Sequence, residues 1–125
     1  QSAGRGRLDR KFDSEKSLGL LFSIFYIPKV KSNLGFISLL AGLTVVEVIK
    51  VITGDNKYKT KWPNDILHGD KKIAGLLIEH FNDGLIIGIG INVSNNEEQL
   101  PVPTASSIYL ASNKIIDRNL LLTNI

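Results

Sequence analysis

Five consecutive residues combine a cation, an aromatic ring, a rigid turn, an amide and a carboxylate, in the order Lys61-Trp62-Pro63-Asn64-Asp65. They follow a short extended segment, and functional groups are often carried where strands end. Seven residues later, Lys72 opens an apolar strand, where a lysine is an unusual choice. Because the chain turns back between them, we expect Asp65 and Lys72 to meet or to share a ligand. These residues also leave an alternative open: residues 61–65 form an ordinary turn with a core tryptophan, and Lys72 is an exposed lysine at a strand start.

The first seven residues, Gln1-Ser2-Ala3-Gly4-Arg5-Gly6-Arg7, end in four that alternate glycine with arginine. Glycine lets the backbone approach a ligand closely, and guanidinium groups pair with anionic oxygens. The pattern therefore suits a loop that binds phosphate, although a flexible basic tail fits it equally well. The spacing of a P-loop occurs nowhere in the sequence.

A third segment, Gly88-Ile89-Gly90-Ile91-Asn92, puts small residues on one face of a strand and an amide at its end. Glycine inside a strand indicates that a flat ligand or another backbone lies against it. A β-bulge with a capping asparagine is the alternative. His68 and His80 have no carboxylates at the spacing of metal ligands, so we expect both on the surface and predict no transition-metal site.

Composition narrows the class of protein. The 125 residues include 15 Lys and Arg against 12 Asp and Glu, a net charge of +3, and no cysteine. Disulfide scaffolds, thiolate zinc sites and cysteine nucleophiles are therefore excluded, and an intracellular, cytoplasmic setting is expected. The longest uncharged stretch, residues 32–46, is shorter than the roughly 20 residues that cross a bilayer, so no membrane association is expected. With 7% aromatic residues, a nucleic-acid binder is the less attractive interpretation.

The elements that must position these groups follow from hydrophobic spacing and turn residues. The pattern predicts strands and extended segments at 18–27, 58–62, 72–80, 85–93 and 106–110, a helix from a cap at Ser32-Asn33 to Thr53-Gly54, a hairpin turn at Asp83-Gly84, and a final helix capped near Asp117. This order predicts an α+β fold with a mixed, mainly antiparallel sheet flanked by helices. Pairing of 72–80 with 85–93 would leave a long edge, so a homodimer through an edge strand is a hypothesis.

Four segments in this order, QSAGRGRLDRKF, KWPNDIL, KKIAGLLIE and GIGINV, resemble the catalytic domain of the biotin protein ligase family. They spread over residues 1–93, and a later ASSI at 105–108 looks like the family's ATS-type segment. The resemblance implies the biotin/lipoate ligase fold, which is related to class II aminoacyl-tRNA synthetases. It also implies that residues 1–125 form a single, partial catalytic domain, with neither a DNA-binding helix-turn-helix domain nor the small C-terminal SH3-like domain.

The function implied by the resemblance is a ligase reaction in two steps. The family uses MgATP to convert biotin to biotinyl-5′-AMP, then passes the biotinyl group to one lysine of a biotin carboxyl carrier protein. Biotin, ATP and Mg²⁺ are the implied small molecules, and DNA is not an expected partner. A lipoate or octanoate ligase of the same fold, or a truncated module that only binds biotin, is the alternative.

The resemblance also implies roles for individual residues. Lys72 would bridge the biotin carboxylate and the phosphate, Asp65 would orient a cation or assist Mg²⁺, and Asn92 would bind adenine. The other implied ligand-binding residues are Gln1, Gly4, Arg5, Gly6, Arg7, Arg10, Phe12, Lys61, Asn64 and Gly75, with Arg5 counted among the catalytic groups as well. Phe12 occupies a position that is often tryptophan in the family, which predicts weaker stacking on adenine.

Overall fold

The computed structural model describes residues 4–6, 15–29 and 36–125. Its elements, in chain order, are β1 (Gly19–Tyr26), α1 (Ile37–Thr53), β2 (Tyr58–Lys61), β3 (Asp65–His68), β4 (Lys71–Phe81), β5 (Gly84–Asn92), a 3₁₀ turn (Glu97–Gln99), α2 (Ile108–Ser112) and α3 (Arg118–Asn124). The five strands form one sheet in the order β1-β5-β4-β3-β2, and every neighbouring pair is antiparallel. The predicted α+β class with a mainly antiparallel sheet is confirmed.

The core lies between one face of this sheet and helix α1. Helix α1 buries Val45, Val46 and Ile49 against alternate strand residues such as Ile66 and Ile89. It ends as predicted at Gly54, whose φ of 72° is accessible to glycine at little cost and whose N–H donates to Lys50 O at 2.8 Å. No described helix has both the length and the apolar character that a bilayer crossing requires.

Two predictions about the elements need correction, and a third lies outside the described residues. Strand β3 was not predicted, because four residues that include Asp65 and His68 give too little apolar alternation to be recognised. Helix α1 begins at Ile37, and the cap predicted at Ser32-Asn33 lies outside the described residues. The extended segment predicted at 106–110 is wrong beyond its start, because the Ser107 hydroxyl accepts from Leu110 N–H at 3.1 Å and caps helix α2.

The hairpin between β4 and β5 turns one residue earlier than predicted. Asn82 takes a φ of 51°, which asparagine tolerates better than most residues, and Phe81 pairs with Gly84. Gly84 is therefore part of β5, and a Cβ on it would lie 2.6 Å from the Phe25 ring. This glycine serves close packing of β1 on β5 and not the turn itself.

The sheet edges also differ from expectation. β3 covers one side of β4 and β1 covers the free side of β5, so the edges are β1 and β2. β1 was predicted to be a buried strand, but residues 23–26 are exposed, and β5 is its only neighbouring strand among the described residues. Any pairing between sheet edges must therefore use β1 or β2.

Candidate active site

One row of residues crosses the sheet on the face opposite the core. The register pairs Lys61 with Asp65, Asp65 with Gly75, Gly75 with Gly90, and Gly90 with Leu21. Side chains of directly opposed residues point to the same face of a sheet. The two glycines at the centre of the row carry no Cβ, which allows a ligand to lie close to the backbone there.

A β-bulge decides the direction of Lys72. Ile66 pairs with Ala74 and Leu67 pairs with Lys72, so Ile73 is an extra residue on β4. Strict alternation would point Lys72 to the same side as Ala74, into the core. The extra residue reverses this: Ile73 is fully buried in the core, and Lys72 points to the opposite face. Bulges that re-aim a side chain are common beside active sites.

Lys72 and Asp65 meet on this face, as expected from the sequence. The Lys72 Nζ atom lies 2.6 Å from Asp65 Oδ1, and the two side chains are 39% and 26% exposed. The pair places a cation and an anion within reach of solvent and of any ligand on the row of glycines. Such a pair can bind an anionic group through the ammonium and a metal ion or polar group through the carboxylate.

The turn between β2 and β3 is fixed by polar contacts on two sides. Asn64 Nδ2 donates to Leu76 O at 2.7 Å, and Leu76 N–H donates to Asn64 O at 2.8 Å. Ser38 Oγ donates to Pro63 O at 3.1 Å, which ties the start of α1 to the turn. Trp62 is 78% exposed, so the alternative with a core tryptophan is wrong. Sequence reasoning missed Ser38 because its partner is 25 residues away.

Asn92 ends β5 on the same face as the glycines. Its Nδ2 donates to Ser106 O at 3.0 Å, and the residue is 9% exposed. Lys72 N–H donates to Thr104 O at 2.8 Å, and Ser106 N–H donates to Lys72 O at 2.7 Å. Residues 104–106 thus contact both Lys72 and Asn92. The sequence signals for this segment were the ASSI resemblance and the extended piece predicted from residue 106, and neither predicted its contact with Lys72.

The glycine-arginine loop is described only at residues 4–6. Arg5 Nη2 lies 3.6 Å from Glu79 Oε2, and the two side chains are 76% and 42% exposed, so the pair contributes little energy. Glu79 and Lys72 are seven residues apart on β4, about 20 Å of strand, so the structure does not bring Arg5 to Lys72. The predicted residues Gln1, Arg7, Arg10 and Phe12 lie outside the described residues.

His68 is not the surface residue that was predicted. Its Nε2 lies 2.8 Å from Asp55 Oδ2, its ring centroid lies 4.7 Å from that of Tyr58, and its side chain is 19% exposed. Lys57 N–H donates to the other Asp55 oxygen, and this bond, followed by the His68 contact, holds the pKa of the Asp55 carboxyl below its ordinary value. His80 is exposed, as predicted.

Among residues 4–6, 15–29 and 36–125, no group of three His, Cys, Asp or Glu side chains is arranged to hold a metal ion. Asp65 is the carboxylate of the row described above, and a single carboxylate suits Mg²⁺ that is mainly held by phosphates and water.

Comparison with known proteins gives a consistent family. Residues 1–96 match the model of the biotin/lipoate A/B protein ligase family. The bifunctional ligase/repressor BirA of Bacillus spizizenii is 36% identical over an alignment 127 residues long, which covers 94% of this chain and 39% of that protein. The biotin–acetyl-CoA-carboxylase ligase of Mycobacterium tuberculosis is 31% identical over an alignment 123 residues long, which covers 95% of this chain and 46% of that protein.

A solved structure agrees with these relatives. Biotin protein ligase from Aquifex aeolicus in complex with biotin and ATP superposes with a TM-score of 0.88 at 40% identity, covering 99% of this chain and 53% of that chain. This chain therefore spans between two fifths and about half of the length of the proteins it resembles. Because the family model covers well over half of its residues, the chain belongs to the biotin/lipoate A/B protein ligase family.

Proposed function

We propose that this chain contributes to the ATP-dependent activation of biotin to biotinyl-5′-AMP, and to transfer of the biotinyl group to a lysine of a biotin carboxyl carrier protein. The observation that carries the proposal is the Lys72–Asp65 pair beside the row of glycines. The likeness to a ligase that holds biotin and ATP supports this choice of substrates.

The first step brings two anions together. A carboxylate oxygen of biotin attacks the α-phosphorus of ATP, the bond to the β-phosphate breaks, and pyrophosphate leaves with its electron pair. Cations must offset the repulsion between carboxylate and phosphate before bond formation. Lys72 is the group proposed to contact both, and the bulge points its ammonium toward the face where they would meet.

Mg²⁺, when bound, would neutralise phosphate charge. Asp65 is proposed as its protein ligand, because Mg²⁺ in phosphate-transfer sites usually keeps one or two carboxylates with phosphate and water ligands. Its Oδ1 contacts Lys72, so the carboxylate holds the lysine in place as well. Lys61 lies directly across from Asp65 on β2 and adds a second cation to this side of the row.

The remaining predicted residues would hold the two ends of the adenylate. Asn92 is proposed to bind adenine and Gly75 to let the ligand pass over β4, while Asn64 acts through the turn that it anchors. The loop residues Gln1, Gly4, Arg5, Gly6, Arg7, Arg10 and Phe12 are proposed to close over biotin and the phosphate.

In the second step the carrier lysine amine attacks the acyl carbon, AMP leaves, and an amide forms with loss of one proton.

The direct test is mass spectrometry of the products after the chain is mixed with biotin, ATP and Mg²⁺. We expect biotinyl-5′-AMP from the unmodified chain and none from Lys72→Ala, whose fold should persist because Lys72 is partly exposed. Adenylate from both chains would overturn the role of Lys72. Parallel reactions with lipoate and octanoate decide between the two ligase alternatives.

A third outcome would point to the non-catalytic alternative. If titration calorimetry detects biotin binding to a folded chain that forms no adenylate with any of the three acids, the chain by itself is a biotin-binding module. We propose the ligase function for a single, partial catalytic domain at residues 1–125, acting in the cytoplasm where ATP is available. The repressor activity named for the Bacillus relative is not part of the proposal.

We also propose that two copies associate through strand β1. Ile24, Phe25, Tyr26 and Ile27, at the end of this strand and just after it, are each at least 45% exposed, and no described strand pairs with the outer side of β1. An edge strand with exposed apolar side chains favours pairing with another strand. The sequence predicted an edge on the hairpin of 72–80 and 85–93, but β3 and β1 cover both sides of that hairpin. The proposed contact therefore uses β1 instead.

A further inference from the structure

Residues 104–107, here called the 104–107 segment, continue the sheet beyond the end of β5. β5 pairs with β4 as far as Ala74 and Ile91, and Ala105 then forms a parallel bridge with Lys72. Both backbone groups of Lys72 are used in this contact, through Thr104 O at 2.8 Å and Ser106 N–H at 2.7 Å. The segment therefore holds the backbone of β4 at the bulge.

The same segment is anchored on its other side. Ser107 is fully buried, and its Oγ donates to Asn95 O at 2.6 Å while accepting from Leu110 N–H. Ser106 O accepts from the Asn92 amide at 3.0 Å. Tyr109 N–H donates to Val93 O at 2.9 Å, which ties the start of α2 to the end of β5. These bonds leave the segment little freedom to shift along the sheet.

We propose that the 104–107 segment is a positioning element that fixes the direction of the Lys72 side chain. The proposal rests on the proposed function in so far as Lys72 is the lysine that contacts the reacting anions. Burial does not hold this side chain, which is 39% exposed. Its direction depends on the bulge, and the backbone groups of Lys72 at the bulge are paired with the segment.

Two variants weaken the segment without touching Lys72, Asp65 or Asn92. Ser107→Ala removes the hydroxyl that anchors the segment to Asn95. The second variant replaces the Ala105–Ser106 amide by an ester, which removes the N–H that donates to Lys72 O and leaves every side chain unchanged. It can be assembled by joining residues 1–104 to a synthetic 105–125 peptide through a temporary cysteine at 105 that is then converted to alanine, because the chain has no other cysteine.

Matched controls separate positioning from stability. Ser112→Ala removes a serine hydroxyl from the other end of α2, where it donates to Ile108 O and has no bond to the 104–107 segment. Ser107→Thr keeps a hydroxyl at the capping position, and the cost of its extra methyl group in this buried site should appear in the stability and not in the rate per folded molecule. All variants are compared well below their melting temperatures, and rates are expressed per folded molecule.

The first readout is the nuclear Overhauser cross-peak between Lys72 Hε and Asp65 Hβ in the 125-residue chain. The second is the kcat for pyrophosphate release with biotin and ATP. We expect Ser107→Ala and the ester to weaken the cross-peak and to lower kcat roughly five-fold, as for loss of a typical hydrogen bond. Ser107→Thr and Ser112→Ala should keep both at wild-type values.

Lower melting temperatures with an unchanged cross-peak and unchanged kcat would overturn the proposal, because the segment would then be merely structural. If Ser107→Ala does not fold, the ester still tests the bond to Lys72. If the unmodified chain releases no pyrophosphate, the proposed function fails for this chain, and the cross-peak still decides: its loss in the ester supports positioning and its persistence overturns it.

Discussion

Lys72 and Asp65 keep a 2.6 Å contact although both side chains remain partly exposed. An ion pair of this kind contributes at most about 1 kcal/mol to folding, because water screens it and two side chains must be ordered. Its value to the molecule is therefore direction: the carboxylate keeps the ammonium on the face that carries Gly75 and Gly90. Loss of Lys72 should then remove activity and leave the stability nearly unchanged.

A second polar pair, away from this face, acts on stability. Asp55 accepts from Lys57 N–H and contacts His68, and its carboxyl pKa is lower in the folded chain than in the unfolded one. A carboxyl with a depressed pKa stabilises the fold above its unfolded pKa, near 3.8, and this contribution is lost as the pH falls through the folded pKa. We expect Asp55→Asn to lower the melting temperature at pH 7.

The pH dependence distinguishes this carboxylate from a general effect of charge. The gap in melting temperature between Asp55→Asn and the wild type should narrow as the pH falls below 3.8, because the wild-type carboxyl then becomes neutral too. Asp70→Asn is the control, since Asp70 is fully exposed and contacts only Lys59 at 3.7 Å among the described pairs. A gap that stays constant from pH 7 to pH 3 would contradict the proposed cause.

At the scale of elements, the strands were predictable where apolar residues alternate and not where polar groups interrupt them. β4 and β5 were predicted nearly to the residue. β3 was missed because only Ile66 and Leu67 are apolar in it. The sequence carries one sign of the bulge, because the consecutive residues Ile73 and Ala74 are both apolar and so break the alternation that a regular strand requires. In the structure both are buried.

The candidate site was predictable to a similar extent. The segment 61–65 and Lys72 were singled out from residue types, and they lie together in the structure. The hydrogen bonds that position them were not predictable. Ser38, Ser106 and Ser107 bond to partners that lie 12 to 34 residues away along the chain, and these bonds involve backbone groups. Local sequence patterns carry no information about such partners.

Close packing of β1 on β5 predicts a strong effect of one glycine. A Cβ at Gly84 would lie 2.6 Å from Phe25 Cε2 and 2.9 Å from the backbone oxygen of Tyr26. The ring can move, but the backbone oxygen cannot without disturbing the strand pair. We expect Gly84→Ala to lower the free energy of unfolding by about 1–3 kcal/mol, measured by urea titration.

A matched control lies on the same strand. At Gly88 the nearest atom to an added Cβ is Leu77 O at 3.4 Å, which needs only a small adjustment. Gly88→Ala should therefore cost less than Gly84→Ala, by about 1 kcal/mol or more. Equal costs at the two positions would show that glycine's backbone freedom, and not the contact with β1, explains the effect.

At the scale of the whole molecule, the sheet has one face used by α1, one face that carries the candidate site, and two unlike edges. β2 has lysines at 59 and 61 on its exposed positions, which discourage strand pairing. β1 has exposed apolar residues instead, and Phe25 is in edge-to-face contact with Phe81, with ring centroids 6.3 Å apart. The asymmetry is the reason for proposing β1 as the contact between two copies.

A single charge on β1 tests this proposal. Ile24 is 45% exposed on β1, whose outer side pairs with no described strand, so Ile24→Lys can be accommodated in one copy, while pairing of two β1 strands would set the ammonium beside apolar side chains of the partner strand. We expect the dimer dissociation constant, measured by sedimentation equilibrium at micromolar concentration, to rise about ten-fold or more. Leu40→Lys is the control. Leu40 is 62% exposed on α1, so this substitution removes a similar apolar surface away from the edge. A wild-type chain that sediments as a monomer, or equal weakening by both variants, would exclude β1 as the interface.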